Sequence, residues 1–203
     1  MVNAVIILVS IILFIFYLID MKNNRIDTKK MVMVGMTCAI SYVLYMIPLI
    51  RYPQGGGITL LSMMPVMILS IVCGRSAGLT GGLIFGLLKI LNGEMILHPA
   101  QFLLDFILAS MALGLAGTFG SDKKYKVVYG CILAVVLSVT CSVISGIVFF
   151  GQFAPEGLSK TVYSLIYNVS SSGVEGLVVI IVITMIPLNR INRVVNKTDL
   201  FEN

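Results

Sequence analysis

Tryptophan is absent from this chain, histidine occurs once, and charged residues make up only 11% of it. The first absence removes the largest aromatic platform from any site the chain could build. The second excludes His-rich metal centres and makes any Ser-His-Asp triad depend on His98 alone. The third says most. Soluble domains carry about 25% charged residues, and a chain with less than half that share has too little polar surface to cover itself in water. No stretch reads GxxxxGK[ST], so the chain brings no phosphate-cradling P-loop of its own. The four cysteines, Cys38, Cys73, Cys131 and Cys141, show no CxxC spacing and read as small apolar packing residues. No catalytic residue, metal site or cofactor is expected.

What is present is apolar. Hydrophobic residues form 58% of the 203, and mean hydropathy is +1.03. Apolar runs cover about residues 2–19, 31–49, 58–73, 77–92, 99–119, 127–150 and 161–188. A membrane-spanning helix takes about 20 apolar residues, so these runs use most of the chain and leave no room for an extramembrane domain. The expected fold is all-α and polytopic: an N-terminal transmembrane anchor with a basic linker (1–28), a six-helix membrane domain (29–190) and a tail (191–203).

The cations agree with seven crossings. Lys22, Arg25, Lys29 and Lys30, then Arg75, then Lys123, Lys124 and Lys126, then Arg190, Arg193 and Lys197 all fall on one side. Arg51 and Lys160 fall on the other. The positive-inside rule therefore predicts a cell-membrane protein with its N-terminus outside and its C-terminus cytoplasmic. The surplus of 14 basic over 9 acidic residues is topology, not a nucleic-acid footprint. The first run has no basic residue before it and no small-residue cleavage site after it, so it reads as an uncleaved anchor outside the working core. Its polar residues between Asn3 and Asp20 are Ser10 and Tyr17 alone.

In such a chain the informative residues are those that do not belong in lipid. An ionisable group within a span costs about 2.5–3.5 kcal/mol on insertion scales and usually faces a cavity or a partner. Lys89 is read as snorkelling to the outer interface. Asp105 is too short to snorkel and is expected to face a cavity, with Gln101 four residues earlier on the same helical face. Asn168, Ser171, Ser172 and Glu175 form one polar stripe on the last run. Asn168 is the expected ligand contact, while Glu175 pairs equally well with Lys89 or with another helix. Ser138, Ser142, Ser145 and Phe149 make a weaker stripe, with Gly146 alongside. Phe149, Phe150, Phe153 and Tyr163 surround a Gly/Pro turn that is either an interfacial belt or a stacking platform for a flat ligand. His98, beside Pro99, reads as an interfacial polar group. The glycines of RYPQGGGIT predict a turned or mobile loop, placed to cover an external opening. The small residues of CGRSAGLTGGLIFGLL suit close helix packing, and Gly35 with Ala39 forms a small-xxx-small pair that can present a flat docking face.

The ordered fragments PQGGGITLLSMMP, GLTGGLIFGLL, QFLLDFILASMALGLAGTF and GIVFFGQFAPEGLSKTVYSLIYN resemble the thiamine-specific S component of energy-coupling factor transporters. The resemblance spans about residues 30–190 and leaves the first run outside. It implies a six-helix subunit that captures the vitamin from outside and docks onto a transmembrane coupling subunit driven by two ATP-binding subunits. It also implies site residues. The acid that recognises the aminopyrimidine falls on Asp105, its aromatic neighbour on Phe106, and the Tyr and Asn of the last helix on Tyr163 and Asn168. A site glycine falls on Gly146 and the thiazolium-stacking aromatic on Phe150, where some members carry Trp. Ser142 stands where some members carry His, and Ser138 where some carry Lys. Gly35 replaces the first Ala of the docking helix, Ala39 keeping the second. The alternative is a self-sufficient, proton-coupled secondary transporter working through Asp105 or Glu175, although the usual paired inverted repeats are not evident.

Overall fold

The computed structural model describes residues 2–24, 26–52 and 55–187; the cations expected at Arg25, Arg190, Arg193 and Lys197, and the 191–203 tail, lie outside them. The fold is helical and arranged as a membrane bundle. In chain order it comprises α1 (Val2–Asn23), α2 (Thr28–Tyr45), a ribbon of β1 (Pro48–Arg51) and β2 (Gly57–Thr59), α3 (Met64–Cys73), α4 (Arg75–Lys89), α5 (Pro99–Leu113), α6 (Lys124–Phe149) and α7 (Lys160–Met185). By length and composition α1, α6 and α7 can each cross a membrane alone.

Local chemistry sets the ends. Asp27 caps α2 by accepting from the Lys30 N–H at 2.7 Å, and Ser159 caps α7 through the Val162 N–H. His98 caps α5 with its Nδ1, 3.0 Å from the Ala100 N–H, and Pro99 takes a helix position that needs no N–H donor. At the far end of the bundle Lys126 Nζ lies 3.0 Å from Asp122 and holds that carboxyl below its ordinary value. Gly74, at φ +94°, breaks α3 from α4 in a conformation that a side chain disfavours.

Two expected spans are corrected. The 58–73 run begins as strand β2 and becomes helical only at Met64. The 31–49 run likewise stops at Tyr45 and turns into β1. Its apolar composition does not distinguish helix from buried strand. At ten residues α3 is about 15 Å long, too short to cross lipid unaided. It instead forms the core: Val66 and Met67 are fully buried against Phe85 of α4, Leu113 of α5, Cys131 and Val135 of α6, and Val179 of α7. With Val66, Met67, Leu69, Ser70 and Ile71 buried, the helix is held mainly by protein contacts rather than by a lipid-matched length.

The glycine-rich α4 closes on α5 as expected from its small residues. A Cβ on Gly82 or Gly86 would overlap the backbone carbonyl of Ser110 or Phe106. Gly35 and Ala39 are both exposed on the outer face of α2, beside exposed Met31, Val32, Met36 and Ile40.

Candidate binding cavity

Two of the helices widen where the expected polar residues sit. Leu103–Leu108 of α5 and Val169–Gly173 of α7 are π-helical turns, a form that occurs mostly as single-turn interruptions and often at functional sites. They flank a cavity of about 560 Å³ at one end of the bundle, beneath the β1–β2 ribbon. That volume lies in the range of small-molecule sites.

Seven of the eight residues expected to touch a ligand line this cavity: Asp105 and Phe106 from α5, Ser142 and Gly146 from α6, Phe150 just past its end, and Tyr163 and Asn168 from α7. Asp105 Oδ2 accepts from the Ser145 hydroxyl at 2.6 Å, so the buried serine of the α6 stripe orients the carboxylate. Asn168 donates to the carbonyls of Ser164 (2.9 Å) and Ser142 (3.3 Å), which ties α7 to α6. Gly146 sits where a Cβ would overlap the Ser164 hydroxyl. The Phe150 ring leans on Phe153 at 6.1 Å, and Tyr163 leans on Tyr167 at 6.0 Å.

Gln101 is corrected. It is 1% exposed and is not part of the lining. Its amide is held by the preceding segment, with Nε2 donating to the Met95 carbonyl (3.0 Å) and Oε1 accepting from the Leu97 N–H (2.7 Å), and it also interacts with the Asp105 carboxyl behind the cavity wall. Phe149 also turns away and stacks on His98 at 5.2 Å.

Lys89 is corrected as well. It does not reach for the interface but lines the cavity, with Nζ 3.2 Å from the Ser110 hydroxyl and over the rings of Phe85 (4.9 Å) and Tyr45 (5.5 Å). Among the described residues no ion pair joins it to a carboxylate. Glu175 pairs with neither Lys89 nor another helix. It accepts from the Thr59 N–H of β2 at 2.8 Å, and the Thr59 and Ser62 hydroxyls stand 2.8 and 3.1 Å from its other oxygen. A 2%-exposed carboxylate is thus stabilised by neutral donors from the ribbon.

Sequence reasoning missed the aromatic and acidic groups on the loops. Glu94 lines the cavity and accepts from the Tyr45 hydroxyl. The Gly56 N–H donates to the Tyr167 hydroxyl at 3.0 Å, and Tyr52 donates to the Ser170 carbonyl at 3.3 Å. The RYPQGGGIT loop is therefore a hairpin pinned to α7, with Pro53 and Gln54 outside the described residues. In all, the lining brings three carboxylates (Glu94, Asp105, Glu175) against two basic side chains (Arg51, Lys89), among aromatic faces. Such a set combines acidic groups with aromatic faces, which suits cationic groups.

Fold and cavity together define an integral membrane protein that encloses a small-molecule-sized polar site among its helices. Residues 31–195 match the family described as thiamine transporter protein, and the chain belongs to that family. It is 41% identical to the thiamine transporter ThiT of Bacillus subtilis over 129 residues, 57% of this chain and 67% of that one. It is 29% identical to ThiT of Lacticaseibacillus paracasei over 137 residues, 60% of this chain and 68% of that one. The solved structure of ThiT from Listeria monocytogenes superposes with a TM-score of 0.68 at 26% identity, covering 77% of this chain and 91% of that one.

Proposed function

We propose that this protein binds thiamine in the α5–α7 cavity and hands it to an ATP-driven coupling module. One observation carries the ligand reading: a net acidic, aromatic-lined cavity in a chain of the thiamine transporter family. Thiamine joins a neutral aminopyrimidine to a permanently cationic thiazolium, so its site needs two chemistries. Asp105 accepts from the exocyclic amine and lends negative potential. Phe150 offers a π face to the cation, though a weaker one than Trp. Tyr163 supplies a ring edge, Asn168 an acceptor, and Ser142 and Gly146 the space beside them. Isothermal calorimetry of the detergent-purified chain against thiamine tests this: saturable one-to-one binding is expected. No heat with thiamine, together with tight binding of another flat heterocycle, would overturn the assignment.

The coupling reading rests on two features. The chain holds no P-loop, and α2 presents an exposed small-residue face at Gly35 and Ala39 suited to a transmembrane partner, itself driven by two ATP-binding subunits. Gly35→Leu or Ala39→Phe should abolish uptake by the reconstituted complex while thiamine affinity of the isolated chain stays within about twofold. Uptake surviving both substitutions would move the docking face elsewhere.

The cavity end is assigned to the outside and the Asp122 end to the cytoplasm, because the cations cluster at the latter. A single cysteine at Ser121, in a chain freed of its native cysteines, should resist membrane-impermeant thiol reagents in intact cells. Ready labelling would invert the orientation.

A further inference from the structure

The N-terminal helix α1 lies outside the residues that match the family, and the sequence alone reads it as an anchor. Its polar residues say more. Asn3, Ser10 and Tyr17 recur every seventh residue, and Asp20 follows one turn later. That spacing places all four on one face, the face α1 turns inward: Ser10 and Tyr17 are buried, while Leu8, Ile12, Ile15 and Phe16 are exposed.

This face grips the bundle at three heights. Asn3 Nδ2 stands 3.4 Å from His98 Nε2, at the cap of α5. The Tyr17 hydroxyl is 2.9 Å from Thr80 Oγ1 of α4. Asp20 pairs with Arg75 and accepts from the Ser76 hydroxyl at 2.8 Å. Between these contacts Ile6 packs on Ala100 and Leu104, and Tyr17 on Ile107 and Met111. Leu104 and Ile107 belong to the same π-helical turn as Asp105, which faces the cavity from its other side.

We propose that α1 is a positioning helix for the binding site: it backs the Leu103–Leu108 turn and fixes where Asp105 points. A π-helical turn is a rare, local departure from α-geometry, so its shape depends on what packs against it. Gly86 of α4 presses on the Phe106 carbonyl, and α1 packs on Leu104 and Ile107 of the same turn. The proposal rests on the cavity's being the thiamine site only for its affinity readout; its dynamic readout is independent of ligand.

The experiment uses the full-length chain in nanodiscs, measuring thiamine Kd by calorimetry and backbone hydrogen exchange over 103–108. The Ile6→Ala/Tyr17→Ala double variant should raise Kd by about two- to thirtyfold and speed exchange over 103–108 by about tenfold, with exchange in α6 unchanged. Ile6→Val/Tyr17→Phe, which keeps the packing, should restore both. Ile12→Ala/Phe16→Ala, on the exposed face, should alter neither. Unchanged Kd and exchange in the double variant, or exchange rising equally throughout α6, would overturn the positioning role. If the double variant does not fold, Asp20→Asn, which releases only the Arg75 end, must show the same local increase, and its absence counts against the proposal. If wild type binds no thiamine, the ligand reading falls while the exchange comparison still decides the role of α1.

Discussion

Asp105→Asn should weaken thiamine binding by about 1.5–3 kcal/mol, roughly tenfold to a hundredfold in Kd. The substitution keeps the shape and removes the charge. The Ser145 hydroxyl, 2.6 Å away, can still donate to the amide oxygen, so the side chain stays oriented. What is lost is a charge-assisted bond to the ligand's amine and one of the three carboxylates that outnumber Arg51 and Lys89 in the cavity. Calorimetry on wild type and mutant under one ionic strength separates the outcomes. An unchanged Kd would remove Asp105 from the site, whereas a larger loss with a fallen melting temperature would mean that the π-helical turn itself had collapsed.

The second large effect is on stability. Glu175→Leu should destabilise the protein by about 3 kcal/mol, seen as a drop of about 6–12 °C in melting temperature. The carboxylate collects the Thr59 N–H and the Thr59 and Ser62 hydroxyls in a 2%-exposed setting. Leucine would leave the Thr59 N–H buried without an acceptor and the Thr59 and Ser62 hydroxyls with only each other, 2.7 Å apart. Glu175→Gln should fall between, since one oxygen survives while the new NH2 faces the Thr59 donor. Hydrogen exchange in β2 should rise with the loss of stability. A melting temperature within about 1 °C of wild type would show that the ribbon is held by its Tyr52 and Gly56 contacts instead.

Much of this was legible in the chain itself, for a physical reason. Asp105 stood out because a short carboxylate two turns inside an apolar run has no way to reach water, so a cavity was the economical explanation. Asn168 follows from the same contrast, and Phe150 from the aromatic cluster at the Gly/Pro turn; resemblance adds to both. Lys89 misled because a long side chain near a helix end can lie either way, and only the Ser110 hydroxyl and the Phe85 and Tyr45 rings decide it. Glu175 hid its role because its partner, Thr59, is 116 residues away on a strand that reads as helix. Glu94, Tyr52 and Tyr167 carried no signal at all: polar and aromatic groups on or facing loops are ordinary until a fold brings them to one opening. The polar face of α1 was readable, since its sevenfold spacing is in the sequence, but spacing alone names no neighbour.

The π-helical turn at Leu103–Leu108 makes the length of α5 part of the site's chemistry. An α-helix advances about 100° per residue, so removing one codon inside that turn would do more than shorten the protein. It would let the helix relax to ordinary α-geometry and rotate everything on one side of the lesion against the other. His98 and Gln101, held by Asn3, Met95 and Leu97, would pull one way, and Ser110, held close to Gly82 and Lys89, the other. For this helix an in-frame deletion is therefore a harsher genetic lesion than most substitutions, because it re-indexes the cavity wall without changing any residue that lines it.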